Sequence, residues 1–172
     1  MSVMNDLINQ YKLLHAKKKG YGSTGENQFA LFSSIVQDLN PSSILDHGCG
    51  KSRLASMLAD ICGAKSFRYD PAIPGIDSLP AEKIDLVLST DVAEHVPEMF
   101  VSAFFASIRA ISSNALFAIS LRPSGNVLPD GRPCHLTVKP KEWWISKLKA
   151  HYSVVTEVLH DTNAKKVIYR TF

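Results

Sequence analysis

The sequence predicts an α/β domain built on a doubly wound, mostly parallel sheet. Short aliphatic runs alternate with amphipathic helices along most of the chain, the pattern of buried strands joined by crossover helices. Asp46 ends the first such run, and a Gly48-Cys49-Gly50 turn follows it into a helix. Asp70 ends the next run about twenty residues past the glycines, where a nucleotide-binding fold carries an acid for ribose hydroxyls. Strand, acid, glycine turn and helix is how such a domain makes a ligand site at the carboxyl end of its first strand. With 172 residues the chain forms one domain large enough for a proper core. Hydrophobic residues at 45% and charged residues at 20% give an ordinary globular balance.

Taken in order, Met4, Leu7, Ile8, Tyr11 and Leu14 recur at helical spacing and predict an amphipathic first helix. Residues 20–25, with three glycines, predict a mobile loop, so residues 1–25 form a helix and a lid over a core of residues 26–172. Phe29, Phe32, Ile35, Val36 and Leu39 mark a second helix that Asn40-Pro41 stops. Ser43-Ile44-Leu45 is the first strand, and Leu54, Met57 and Leu58 share a face of the helix after the glycine turn. Residues 66–69 are the second strand. Residues 71–83 are too short and too proline-rich for a full helix and strand, leaving residues 76–80 as the remnant of a third. Residues 84–89 form a buried fourth strand. The following helix carries Phe100, Phe104 and Phe105, read as core, and residues 115–120 form a fifth strand. A Pro- and Gly-rich insertion at residues 122–134 leaves the carboxyl end of that strand and should border the ligand crevice. A helix over residues 139–150 places at most one of Trp143 and Trp144 in the core, because neighbours on a helix point about 100° apart. Two final strands, residues 152–159 and 166–172, are joined by a polar loop.

The glycine turn fails two phosphate-binding patterns. A Walker loop needs a glycine where Leu45 stands, and a dinucleotide fingerprint needs a small residue where Arg53 stands. Asp46 also repels phosphate and suits a ligand with a cationic head and hydroxyls. The stretch Leu45-Asp46-His47-Gly48-Cys49-Gly50 resembles the first motif of class I S-adenosylmethionine-dependent methyltransferases, with Ser52 where the family usually has a third glycine. Thr90-Asp91-Val92-Ala93-Glu94-His95-Val96-Pro97 resembles the family's motif after the fourth strand, and the likeness covers roughly residues 26 to 121. The resemblance implies a Rossmann-like sheet closed by an antiparallel carboxyl-terminal strand and shortened between the second and fourth strands. It implies S-adenosylmethionine as cofactor, with Asp46, Gly48 and Gly50 on its methionine end, Asp70 on its ribose, and Thr90 and Asp91 beside it. The adenine contact of the family comes from the shortened region, where Asp77 is the candidate.

Asp91, Glu94 and His95 at i, i+3 and i+4 would share one helical face toward the crevice, and His135 follows the insertion. This set looks like that of metal-assisted O-methyltransferases of the ubiquinone pathway and of small-RNA 2′-O-methyltransferases, with Asp91 shorter than the family's Glu. The candidate catalytic residues are His135, His95 and Glu94. Histidine is the side chain suited to take a proton near neutral pH; no metal-ligand set is assigned, and a divalent metal ion is the alternative to a histidine base. The acceptor expected is the oxygen of a small molecule or glycan, since the insertion and first helix are small. A net charge of +3, with Lys17-Lys18-Lys19 read as a solvated helix end and only Arg122 and Arg132 near the site, argues against nucleic acid. The other alternative is a degenerate methyltransferase-like binding module, which the intact Asp46, Gly48, Gly50 and Asp70 set opposes. Three cysteines without ligand spacing and an amino terminus lacking an apolar run point to a cytoplasmic protein with no membrane segment. Tyr11 and Tyr21 belong to the lid, and His15 is expected on its surface.

Overall fold

The computed structural model describes residues 3–163 and 165–172. Five helices, α1 Val3–Lys17, α2 Phe29–Leu39, α3 Leu54–Cys62, α4 Val101–Ile111 and α5 Lys141–Lys149, surround six strands. The strands are β1 Ser43–His47, β2 Lys65–Tyr69, β3 Leu86–Thr90, β4 Ala115–Ser120, β5 Thr156–Asp161 and β6 Lys166–Arg170. They form one sheet in the order β2-β1-β3-β4-β6-β5. The β1–β2, β1–β3 and β3–β4 pairs are parallel, while β6 runs antiparallel to both β4 and β5. The Rossmann-like, doubly wound sheet with a reversed last strand is therefore present.

Alternation along the strands divides the core in two. Ile44, Leu86, Leu88, Leu116, Ala118 and Ile168 pack against α2 and α3. Their strand neighbours Leu45, Val87, Phe117, Ile119, Val167 and Tyr169 pack against α4 and α5. Successive side chains on a strand point to opposite faces, so each central strand is buried on both faces and serves two layers, with polar residues at its carboxyl end. Trp144 is buried and Trp143 only partly so, as the helical geometry requires. Asn40 closes α2 in the left-handed conformation, where Asn is tolerated, and Pro41 then prevents continuation.

The structure departs from the sequence expectation in three places. No remnant third strand forms in residues 76–80 among the described residues. Residues 71–83 instead make turns, one closed by the Asp70 N–H donating to the Ile76 carbonyl at 2.9 Å. Pro71, Pro74 and Pro80 each lack the N–H that a strand ladder needs. The penultimate strand starts at Thr156, because Tyr152 is taken into the core beneath α5. The loop of residues 20–25 is tied down. The Lys51 N–H donates to the Gly22 carbonyl at 2.7 Å, and the Lys51 ammonium donates to the carbonyls of His15, Lys18 and Lys19 at 3.0, 3.2 and 3.0 Å. These close the carboxyl end of α1, where a cation is favoured by the helix dipole.

Above the carboxyl edge of the sheet, α1 and the insertion build a third, small core from Leu7, Leu14, Leu128 and Cys134, with Tyr11 and Tyr21 against it. Arg132 of the insertion pairs with Asp6 of α1 at 2.8 Å. Gly22 then lies directly on Gly50. A Cβ on Gly50 would stand 2.5 Å from the Gly22 carbonyl oxygen, and a Cβ on Gly22 would meet the His15 ring at 2.6 Å. Gly22 also has φ +77°, which side chains oppose. Gly22→Ala is therefore expected to destabilise the protein by about 1–3 kcal/mol, the scale of one strained residue. Limited proteolysis should then cut near residue 22 faster than in the wild type, while β-sheet circular dichroism is unchanged.

Candidate active site

Beneath this cap lies a cavity of about 1170 Å³ at the carboxyl ends of β1, β2, β3 and β4. Gly48, Gly50 and Asp70 line one part of it, and Asp91, His95 and His135 line another. Asp46, Thr90 and Glu94 do not form its wall. The lid contributes Tyr11, His15, Tyr21 and Gly22, and the insertion contributes Arg122 to Asn126 along one rim. His15, expected on the surface, is turned inward with its ring 4.9 Å from that of Tyr21.

The glycine turn is set by backbone. Gly48 and Gly50 have φ +78° and +54°, and the N–H groups of Gly48 and Cys49 both donate to the Tyr69 carbonyl. Asp70 accepts from the Gly50 N–H at 2.9 Å with one oxygen and from the Ala72 N–H at 2.8 Å with the other. Each oxygen keeps a second lone pair. Asp46 is fully buried beneath the turn, and neither carboxylate oxygen has a hydrogen-bond partner among the described residues. Burial pushes its pKa up to about 7, with Arg68 opposing and Asp70 adding to the rise. Thr90 is also buried, under Gly25, whose Cβ position is 3.1 Å from the Thr90 hydroxyl.

The turn after β3 does not form the single α-helical face that its spacing implied. Asp91 adopts φ +55°, and only Ala93–His95 is helical, as one 3-10 turn. The Asp91 carboxylate accordingly points away to the Lys166 ammonium, 2.8 and 2.9 Å from its two oxygens. Glu94 is buried, with one carboxylate oxygen accepting from the Ser120 N–H at 3.0 Å. Its other oxygen has no partner among the described residues. Burial, aided by Asp91, pushes Glu94 well above the usual carboxylate range. The Glu94 carbonyl accepts from the N–H groups of Leu136 and Thr137 at 2.8 and 3.0 Å, which brings His135 beside His95.

The two imidazoles meet edge to face with centroids 4.8 Å apart. The His135 Nδ1 lies 2.7 Å from the Arg122 carbonyl, which can only accept, so Nδ1 carries a proton and Nε2 is the bare nitrogen of the neutral ring form. His95 Nδ1 lies 3.0 Å from the Tyr11 hydroxyl, and burial with His135 nearby lowers its pKa to about 3, keeping the ring neutral. One ligand atom each from Glu94, His95 and His135 can be chosen so that all three lie within 4.8 Å of one another.

A second set of cavity residues escaped the sequence reading. Phe100 and Phe104, expected in the core, line the cavity, and only Phe105 is buried there. The Phe104 ring stands 5.5 Å from His47, which in turn lies 4.8 Å from Tyr69. The missing third strand and helix leave this aromatic wall open to the ligand space. The absence of a helical pattern in residues 71–83 was its only sequence signal.

No protein-family model matches the chain, and neither does any curated protein. Solved structures do. The 1,6-didemethyltoxoflavin-N1-methyltransferase of Burkholderia thailandensis, with bound S-adenosylhomocysteine, is similar with a TM-score of 0.67 and 16% identity over 98% of this chain and 88% of that one. The magnesium protoporphyrin IX methyltransferase of Synechocystis gives 0.63 at 15% identity, over 84% of this chain and 81% of that one. The N-methyltransferase NodS of Bradyrhizobium japonicum gives 0.59 at 16% identity, over 95% and 98% respectively. With its strand order, its reversed β6 and its glycine turn after β1, the chain has the fold of the class I S-adenosylmethionine-dependent methyltransferases.

Proposed function

We propose that the protein is an S-adenosylmethionine-dependent methyltransferase that acts on an oxygen of a small molecule or glycan. The observation that carries this is that His95 and His135 line the same cavity as a glycine turn backed by Asp70, with a carboxylate oxygen of the buried Glu94 within 4.8 Å of a ring nitrogen of each histidine. Solved structures of the same fold hold S-adenosylhomocysteine, which supports the cofactor. That cofactor supplies a sulfonium methyl group open to in-line attack. The enclosing α1 and insertion favour a small acceptor over a polymer.

In this proposal the Gly48 and Gly50 backbone admits the methionine end, and the spare lone pairs of Asp70 accept the ribose hydroxyls. Asp46 acts from beneath the turn as the counter-charge to the methionine ammonium, rather than as part of the cavity wall. Thr90 supports the turn under Gly25, and Asp91, fixed by Lys166, borders the cofactor side. Phe104 and Leu79 flank the space for the adenine, in place of Asp77, which is absent from the cavity wall.

The acceptor hydroxyl belongs at the histidine pair. His95, kept neutral by burial, His135, whose Nδ1–H donates to the Arg122 carbonyl, and Glu94, whose carboxyl would have to give up the proton that burial favours, offer three ligand atoms to a divalent cation, whose ligands must be unprotonated and whose histidines donate their other N–H to an acceptor. Such an ion would stabilise a forming alkoxide. Without one, the bare Nε2 of His135 is the proton acceptor nearest the rim.

Two outcomes are expected. His135→Ala should keep S-adenosylhomocysteine affinity while transfer of labelled methyl to a fractionated cell extract falls ~10²-fold or more. Chelation should abolish transfer, with Mn²⁺ or Mg²⁺ restoring it; undiminished transfer in chelated protein assigns the work to His135 alone. The Asp46 proposal has its own test. A bound ammonium stabilises the ionised carboxylate, so binding expels a proton whenever the free protein's Asp46, with its pKa near 7, is protonated. Affinity for S-adenosylhomocysteine, measured by calorimetry, should therefore fall as pH drops through about 7, approaching ~10-fold per unit. Asp46→Asn should bind more weakly at pH 8 and show a flat profile over that range.

A further inference from the structure

We propose that Tyr11 of α1 is a positioning residue for His95, so that the amino-terminal helix, and not the core alone, completes the acceptor site. The inference rests on the placement of His95 in the proposed function and concerns how that histidine is held.

The Tyr11 hydroxyl has two neighbours, the Cys134 carbonyl at 2.7 Å and His95 Nδ1 at 3.0 Å. A phenol has one proton to give. The carbonyl has none, so were the Tyr11 proton directed to His95, the 2.7 Å contact would set two oxygen lone pairs against each other. Tyr11 therefore donates to Cys134 and accepts from His95. That fixes the proton of His95 on Nδ1 and leaves Nε2 bare, the same tautomer that the Arg122 carbonyl imposes on His135. The phenol ring also stands edge-on to the imidazole at 5.4 Å and 74°, which restrains its rotation. His135 takes its orienting carbonyl from the insertion, whereas His95 takes an orienting oxygen from a separate helix in addition to the Cys134 carbonyl, which also acts on its ring.

That helix is held by the cofactor side of the cavity. The Lys51 ammonium binds three carbonyls at its end, and the Lys51 N–H holds Gly22, which lies on Gly50. One body thus spans the glycine turn and His95. A cap opened to admit ligands withdraws the Tyr11 oxygen and frees His95 to exchange tautomers.

The test is Tyr11→Phe in the full chain, which removes one oxygen and keeps the ring. Long-range ¹H–¹⁵N correlation spectra, with His95 assigned through His95→Gln, should show the Nδ1–H tautomer in the wild type and a mixture with Nε2–H in the variant. Mn²⁺ affinity by calorimetry should fall about 10–100-fold, the usual effect of losing a partner behind a ligand, while S-adenosylhomocysteine affinity stays within about 2-fold. Tyr11→Phe with an unchanged His95 spectrum would overturn the proposal, whatever happens to activity. A shifted spectrum in a protein that binds no Mn²⁺ in either form would support the role of Tyr11 and remove the ion from the proposed function.

Discussion

The arrangement at the carboxyl edge of the sheet depends on one buried residue, Glu94. Its carbonyl takes the N–H groups of Leu136 and Thr137, and its carboxylate takes that of Ser120 at the end of β4. Three segments far apart in sequence are thereby fixed to one another: the turn after β3, the last residue of β4 and the return of the insertion. Each of those backbone donors would cost free energy if buried without a partner. The remaining carboxylate oxygen has no hydrogen-bond partner among the described residues, and a Glu94 carboxylate oxygen lies within 4.8 Å of a ring nitrogen of each histidine. A buried polar atom left in that state is expensive, and a ligand or ion that satisfies it recovers the cost.

The cavity divides its labour by element. Parts suited to the cofactor stand on β1 and β2, where glycine backbone and Asp70 need no side-chain movement to present their groups. Parts that the proposed function gives to the acceptor stand on the β3 turn and at the end of the insertion, where two imidazoles converge. Between them, the Lys166–Asp91 pair fixes an acid that would otherwise add charge beside Glu94, and Coulomb repulsion from Asp91 is one reason Glu94 resists ionisation. Keeping that second acid paired keeps the acceptor side close to neutral. A hydroxyl acceptor or a cation can enter there without meeting a competing free carboxylate on the cavity wall.

Much of the fold was legible because burial leaves a period in the sequence. The central strands read as apolar runs, Asn40-Pro41 read as a stop, and the proline-rich residues 71–83 read as a missing helix and strand. The glycine turn was equally legible as a backbone feature, with Gly48 and Gly50 at positive φ and Asp70 at the end of the neighbouring strand. The acceptor half was less so. The i, i+3, i+4 spacing of Asp91, Glu94 and His95 promised one shared face, but Asp91 takes a left-handed φ that Asp tolerates and sequence does not announce. Tyr11 was read only as part of the apolar stripe of α1 and of the lid; its partners His95 and Cys134 lie 84 and 123 residues away. Lys51 was read only as part of a turn that fails the phosphate-loop spacing, yet its ammonium caps a helix that only the tertiary fold brings near. Phe104 was placed in the core because a helical stripe does not show which of its members meets a gap in the neighbouring layer.

The cap matters because methyl transfer is governed by placement. Donor sulfur, methyl carbon and acceptor oxygen must lie in line, and small displacements are costly in rate. In the proposed function the donor side is bounded by Gly50 and the acceptor side by His95, which belong to different elements. What joins them besides the sheet is the amino-terminal segment, with Gly22 on the first and Tyr11 on the second. The Gly22–Gly50 contact is too close for any side chain, so the segment seats in one position or not at all. That makes the cap a gauge of distance as well as a cover. In the proposed function a seated cap would exclude water and set both ends of the reacting line together, and a lifted one would lose the orientation of His95 along with the enclosure.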